Sequence, residues 1–145
     1  MGSVQISQKM ISESGRSTLS KKRYESGNLR AWIESGIMHG EYLKPIISIE
    51  IAKEMVDTRH KLSEGKPISI VIDISRTKSV SKEARDYLAS EEGSINLIAC
   101  ALITKSRIQN LLANTFVLLN TPKVPIKFFR YKTYALDWLK NQKQN

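Results

Sequence analysis

Basic and hydroxyl side chains gather where the predicted strands of this sequence end, and these residues are the best suited to bind an anion. One acid, three serines and seven basic residues make up the candidate site: Asp73, Ser75, Arg76, Lys78, Ser79, Ser81, Lys82, Arg85, Lys105, Arg107 and Arg130. Lys44 and Lys132 occupy comparable positions, and no Asp or Glu occurs from Gly93 to Leu136. Helix N-termini carry partial positive charge, so cations beside them are unfavourable unless an anion binds there. The simpler alternative is that these side chains are solvated and point apart.

The acid and the serines of this set each allow two interpretations. Asp73 could hold a hydroxyl or a cation, but an Asp at this point more often accepts hydrogen bonds from the N–H groups of the next loop. Ser75, Ser79 and Ser81 could accept a phosphate, whereas serines at loop and helix starts usually act as caps.

Other kinds of chemistry find little support in the residue spacing. His39 and His60 have no third ligand or nucleophile at motif spacing, and the chain lacks a glycine-rich phosphate loop. Glu91 and Glu92 are adjacent, as in a solvated helix end. The sequence therefore predicts no catalytic residue, no metal site, no cofactor and a protein that is not an enzyme.

The lone cysteine lies in an apolar run. Cys100 is inside Leu97–Ile103, which predicts a buried, inert thiol. A single cysteine cannot form an internal disulfide, so we expect a reducing, cytoplasmic environment.

Hydrophobic periodicity predicts the elements that position the candidate residues. Residues 29–34 and 37–43 alternate around Ser35-Gly36, as in an antiparallel hairpin. A helix follows, with Ser48 as its N-cap and Gly65 as its stop. Its predicted core face consists of Ala52, Met55, Val56, Arg59 and Leu62.

The second half of the chain alternates strands and helices. Strands are predicted at residues 68–74, at 95–103 as the central strand, and at 126–129. Helices are predicted to start at Ser81, Ser106 and Thr133, the last burying Ala135, Trp138 and Leu139. The order β-β-α-β-α-β-α-β-α predicts an α/β fold with a mostly parallel sheet of about five strands, an antiparallel N-terminal hairpin and about four helices.

Composition indicates one globular domain. The chain has 145 residues, of which 41% are hydrophobic and 26% charged, and no run is long enough to span a membrane. We expect residues 1–24 to form a flexible polar and basic tail, or less readily a short strand at residues 4–7, with order beginning near Gly27 and a single domain over 25–145. The net charge of +9 favours acidic partners or nucleic acid.

The element order, with a strand ending Val71–Ser75 that leads into a loop and a short helix, resembles the STAS domain family, the SpoIIAA-like domains. The resemblance covers about residues 27–140, and Trp138-Leu139 after residues 125–129 is similar to uncharacterised bacterial proteins of this fold. Antagonist members of the family carry an Asp-Ser-Ser-Gly phosphorylation motif at the short helix. Here that segment reads Val80-Ser81-Lys82-Glu83-Ala84, with Lys82 at the phosphoserine position. The resemblance therefore implies the fold but not the phosphorylation switch.

These features together predict a STAS-like, non-enzymatic binding or regulatory module. Its partner would be a protein or a small anionic ligand held at the basic edge of the sheet. The alternatives are a weak nucleic-acid binder that uses the tail and the basic edge, and an enzyme of unknown type. The sequence leaves homo-oligomerisation open.

Overall fold

The computed structural model describes residues 22–106 and 123–142, and these form an α/β fold. The strand bounds are β1 Arg23–Glu25, β2 Leu29–Glu34, β3 Ile37–Tyr42, β4 Ile46–Ile47, β5 Ile68–Asp73, β6 Ser79–Val80, β7 Leu97–Ile103 and β8 Ile126–Phe129. The described part of the main sheet has the order β1-β2-β3-β5-β7-β8. Strands β1 to β3 pair antiparallel, and β3, β5, β7 and β8 run parallel.

Helices cover both faces of this sheet. They are α1 Ile49–Leu62, α2 Lys82–Ala89, α3 Glu91–Ser94 and α4 Lys132–Lys140. Helices α1 and α2 pack with Ile70 and Ile72 of β5 in one apolar cluster, whereas α4 packs with Val71 of the same strand in another. Alternate residues of β5 thus enter two separate cores, which explains its nearly continuous apolar sequence. The predicted α/β fold with a mainly parallel sheet and an N-terminal hairpin is confirmed.

Local sequence signals fix the hairpin and the first helix as predicted. Ser35 and Gly36 have φ values of 53° and 76°, the left-handed pair that a two-residue hairpin turn requires. The Ser48 side chain accepts a hydrogen bond from the Ile51 N–H at 3.3 Å, which caps α1. After the C-cap Ser63, Gly65 takes a φ of 74° and its N–H donates to the His60 carbonyl.

The structure differs from the sequence prediction in where the first strand begins and in which strands are central. The expected start of order near Gly27 is wrong, because β1 at Arg23–Glu25 already pairs with β2. The apolar β7 is also not central, because β3 and β5 form the middle of the six described strands. Burial of β7 comes from helices on both faces rather than from a central position.

A small two-stranded sheet, which the sequence did not predict, holds the loop after β5. Strand β4 pairs in parallel with β6, and the N–H groups of Lys78 and Ser79 donate to the Pro45 carbonyl at 2.7 and 3.1 Å. The two paired segments have only two residues each, too short for a periodic signal.

Three predictions fall on residues outside those described. They are the tail, except for its last residues, the alternative strand at residues 4–7, and most of the helix expected to start at Ser106. Within the described ranges, every helix is too short or too polar to cross a membrane.

Candidate functional site

An open cleft of about 340 Å³ lies at the carboxyl ends of β5, β7 and β8. We call it the strand-end cleft, and its lining residues are Asp73, Ile103, Lys105, Arg130, Tyr131 and Lys132. Three of the eleven candidate residues, Asp73, Lys105 and Arg130, therefore come together here. Lys132, which was predicted at the same edge of the sheet, also lines the cleft.

Parallel pairing brings these residues to one edge. Asp73 pairs with Ile103 across β5 and β7, and Ile103 pairs with Phe129 across β7 and β8. The three strands therefore end at the same level, and the residues that follow each strand meet beside α4. The cleft is thus a consequence of strand register and not of proximity along the chain.

The N-terminus of α4 adds positive charge to the cleft. Its N-cap is Tyr131, which makes no side-chain capping hydrogen bond, and its first turn contains no acidic residue. Exposed N–H groups at a helix start favour a bound anion. Lys132, at the first helical position, opposes the dipole unless such an anion is present.

Aromatic rings lie under two of the three cations. The Lys132 ammonium nitrogen is 5.2 Å from the ring centre of Trp32, and the Arg130 guanidinium carbon is 5.8 Å from that of Tyr131. Such contacts position a cation without neutralising it. Lys105 follows β7 and is exposed at the same edge.

Asp73 takes the simpler of its two predicted roles. Its Oδ1 accepts hydrogen bonds from the N–H of Ser75, at 2.8 Å, and from the Ser75 hydroxyl. This turn-like arrangement explains both residues as parts of the loop that follows β5. One oxygen of the carboxylate in the cleft is therefore already engaged.

The other described candidates lie outside the cleft, and most make local interactions. Arg76 contacts the Glu41 carboxylate at 3.7 Å, and the same carboxylate lies 3.6 Å from Arg30. Lys82 pairs with Asp86 at 2.8 Å. Because these pairs are at least partly exposed, each contributes little stability, but their carboxylates offset nearby positive charge.

The serine and arginine candidates around α2 have structural partners. Ser81 accepts a hydrogen bond from the Ala84 N–H at 3.1 Å and caps α2, the simpler interpretation. Arg85 donates to the Val80 carbonyl at 3.3 Å. Lys78 and Ser79 are exposed on the loop and on β6, and Arg107 lies outside the described residues.

A second cavity, which was not predicted from the sequence, lies between the sheet and helices α1 to α3. Its volume is about 100 Å³ and its wall is mainly apolar, but Arg59 of α1 and Cys100 of β7 contribute to it. The prediction that the Cys100 thiol is buried is confirmed, and this burial raises its pKa to about 12. The sequence contained one sign of this cavity, the charged Arg59 on the apolar face of α1. Hydrophobic periodicity identified Arg59 only as a core position.

The two histidines lie apart from both cavities. His39 is buried and its ring stacks on Trp32 with ring centres 5.4 Å apart. Partial burial, and then the neighbouring charge of Arg59, lower the pKa of His60. In the ranges 22–106 and 123–142, no group of three or more His, Cys, Asp or Glu side chains is arranged to hold a metal ion.

Comparison with known proteins identifies a family without an assigned activity. The family model described as a domain of unknown function, DUF7793, matches residues 31–143. No curated protein matches the chain. A crystal structure of an uncharacterised DUF3478-family protein from Shewanella loihica PV-4, with a SpoIIAA-like fold, is similar at a TM-score of 0.58 and 21% identity. The match covers 77% of this chain and 94% of that one, and it shows the SpoIIAA-like fold predicted from the sequence.

Proposed function

This chain belongs to the DUF7793 family. We propose that it is a non-enzymatic binding or regulatory module whose strand-end cleft takes a phosphate-type anion. The anion is either a free small ligand or an acidic group presented by a protein partner. In a fold of this class, ligands bind outside the carboxyl ends of the strands.

One observation carries the proposal. Lys105 follows β7 and Arg130 and Lys132 follow β8, so two distant segments of the chain bring three cations to the start of α4, which has no side-chain cap. Three cationic side chains and the N–H groups of a helix start are donors suited to an anion, and hydrogen bonds between charged groups are the stronger ones.

The charge of the described lining residues supports a binding role for the cleft. Asp73 is the only carboxylate among the described lining residues, and Ser75 occupies one of its oxygens with two hydrogen bonds. Three of the other described lining side chains, Lys105, Arg130 and Lys132, are cationic, which supports recognition of an anion.

The test is a titration of the full chain with inorganic phosphate, in which backbone-amide NMR shifts report binding. Replacing Lys105, Arg130 and Lys132 together with Ser should weaken phosphate binding about tenfold to a hundredfold. This range assumes about 0.5–1 kcal/mol for each solvent-screened contact.

A matched control removes the same charge elsewhere. Lys61, Lys66 and Lys140 are exposed lysines that do not line the strand-end cleft, so replacing all three with Ser should leave site-specific shifts near Lys132 unchanged. Equal losses of phosphate affinity in the two triple variants would show that only net charge matters, and would overturn the proposal.

A second candidate function, binding of single-stranded nucleic acid, follows from two exposed aromatic rings beside the cleft. Tyr131 and Tyr134 are 57% and 64% exposed, with ring centres 6.2 Å apart in an edge-to-face arrangement. Bases can stack on such rings while cations contact the phosphates. A short oligonucleotide that bound more tightly than inorganic phosphate, with affinity falling about tenfold or more between 50 and 200 mM salt, would favour this candidate.

A further inference from the structure

The apolar cavity between the sheet and helices α1 to α3 contains an unusual charged group. Most of its wall is hydrophobic and includes Met38, Met55, Ile70, Ile72 and Leu102. The charged residues among the described lining are Arg59 and Lys123, both cationic. No described carboxylate lines this cavity.

Arg59 is almost completely buried and is not fully satisfied. It is 3% exposed. Its guanidinium donates to the Ile95 carbonyl at 2.6 Å and to the Gly93 carbonyl at 3.4 Å. The second distance is near the limit of a hydrogen bond, and Arg59 Nε has no partner among the described residues.

A buried guanidinium normally has a negative partner. None of the ion pairs among the described residues includes Arg59. Desolvation lowers the pKa of Arg59, a sign that its environment disfavours the charge. An unpaired buried charge is costly, and a bound anion is the most direct way to offset that cost.

We propose that this cavity binds a small carboxylate with a short apolar tail, whose carboxylate pairs with the Arg59 guanidinium. The tail would lie against Met38, Met55 and the β5 isoleucines. This site is separate from the strand-end cleft, and the proposal does not depend on the function proposed for that cleft.

The volume and polarity of the cavity define the ligand class. At about 100 Å³ it is smaller than an engineered apolar protein cavity of about 150 Å³ that binds benzene. The apolar tail of the ligand therefore has only a few carbons. Tyr42 also lines the cavity and is 5% exposed, and its buried hydroxyl, whose pKa is raised by that burial, remains a neutral donor for a carboxylate oxygen.

Methionine methyl groups provide a direct readout of ligand binding in the full chain. Two of the four methionines, Met38 and Met55, line the cavity, whereas Met1 and Met10 lie in another part of the sequence. With ¹³C-methyl-labelled methionine, propanoate and butanoate should shift the Met38 and Met55 signals saturably, with a Kd in the millimolar range or tighter for so small a ligand.

The matched probes are 1-propanol and 1-butanol, which keep the tail and remove the charge. We expect them to bind about tenfold to a hundredfold more weakly, the range for loss of a hydrogen bond between charged groups. Inorganic phosphate should leave the Met38 and Met55 signals unchanged, which separates this site from the strand-end cleft.

Substitutions then assign the preference to Arg59. Arg59→Gln should abolish the preference for carboxylate over alcohol, Arg59→Lys should retain part of it, and Arg23→Gln, at an exposed arginine, should not alter it. If the Arg59 variants do not fold, the comparison of acid with alcohol on the unaltered protein still decides. Equal affinity for acid and alcohol, or no saturable shift of Met38 and Met55, would overturn the proposal.

Discussion

Glu54 of α1 provides the sharpest test of how the N-terminal strands are held to the helix layer. Its Oε2 accepts hydrogen bonds from the hydroxyls of Tyr24 and Ser26, the latter at 2.6 Å, and its Oε1 accepts one from Asn28 Nδ2 at 2.8 Å. The three donors lie in or between β1 and β2, so one carboxylate ties this segment to α1. We expect Glu54→Ala to loosen β1 and lower the free energy of unfolding.

The magnitude follows from the number of bonds and from their exposure. Hydrogen bonds to a charged group contribute about 1.5–3 kcal/mol when buried. Because Glu54 is only half-buried, solvent screening reduces each bond to roughly 0.5–1 kcal/mol. Loss of all three bonds should therefore cost about 1.5–3 kcal/mol at pH 7.

The pH dependence gives an independent check. Partial burial raises the pKa of Glu54, but the hydrogen bonds from Ser26, Tyr24 and Asn28 outweigh it and lower the pKa below the ordinary value of 4.5. A carboxyl with a lowered folded-state pKa stabilises the fold fully above its unfolded-state pKa, and this stability is lost as pH falls through the folded-state value. The cost of Glu54→Ala should thus be largest near neutral pH and shrink below about pH 4.5.

Urea unfolding followed by tryptophan fluorescence, at several pH values, measures this cost. Asp57→Ala, at an exposed carboxylate of the same helix, is the matched control and should change the free energy of unfolding by less than about 0.5 kcal/mol. A pH-independent cost for Glu54→Ala, or one no larger than that of the control, would refute the reasoning. Spectroscopic titration adds a second readout, because burial and the Glu54 hydrogen bond raise the pKa of Tyr24 to about 12, and the substitution should lower it.

Three further substitutions and reactions test local features of the fold. Gly36→Ala should lower the free energy of unfolding by about 1 kcal/mol, because Gly36 has a φ of 76°; Gly27→Ala, where an added methyl meets no atom, is the control. Ser81→Ala should cost about 1 kcal/mol through loss of the α2 cap without changing phosphate affinity at the strand-end cleft, and a large loss of that affinity would contradict the capping role. Cys100 should react with a thiol reagent at pH 8 only as fast as the protein opens, since burial raises its pKa to about 12, and rapid labelling of the native protein would contradict this.

Much of the fold could be predicted because the relevant signals are local. Ser48 and Ser81 precede runs with helical periodicity, and both cap the predicted helices. Ser35-Gly36 lies between two alternating runs and forms the hairpin turn. Strand β1 and the β4–β6 pair could not be predicted, because strands of three and two residues are too short to show a period. Only their pairing partners make these segments strands.

The candidate site could be predicted only as an edge of the sheet. Placing cations after strands was enough to select Lys105 and Arg130, because parallel strands end together. It could not separate these residues from Arg76 and Lys82, which have the same residue types and similar positions. Their partners, Glu41 and Asp86, meet them only through strand pairing or a helical turn.

By itself, the sequence determined the alternation of helices and strands, their caps and turns, and the excess of positive charge at the strand ends, because each depends on neighbours a few residues apart. Tertiary structure alone decided which cations share the strand-end cleft, and that Asp73 is engaged by its own loop. In the sequence, Arg59 is simply another position on an apolar helix face. Only the tertiary structure places it beside a cavity whose described lining contains no carboxylate. Burial and charge pairing depend on segments distant in the chain, and periodicity contains no information about which of them meet.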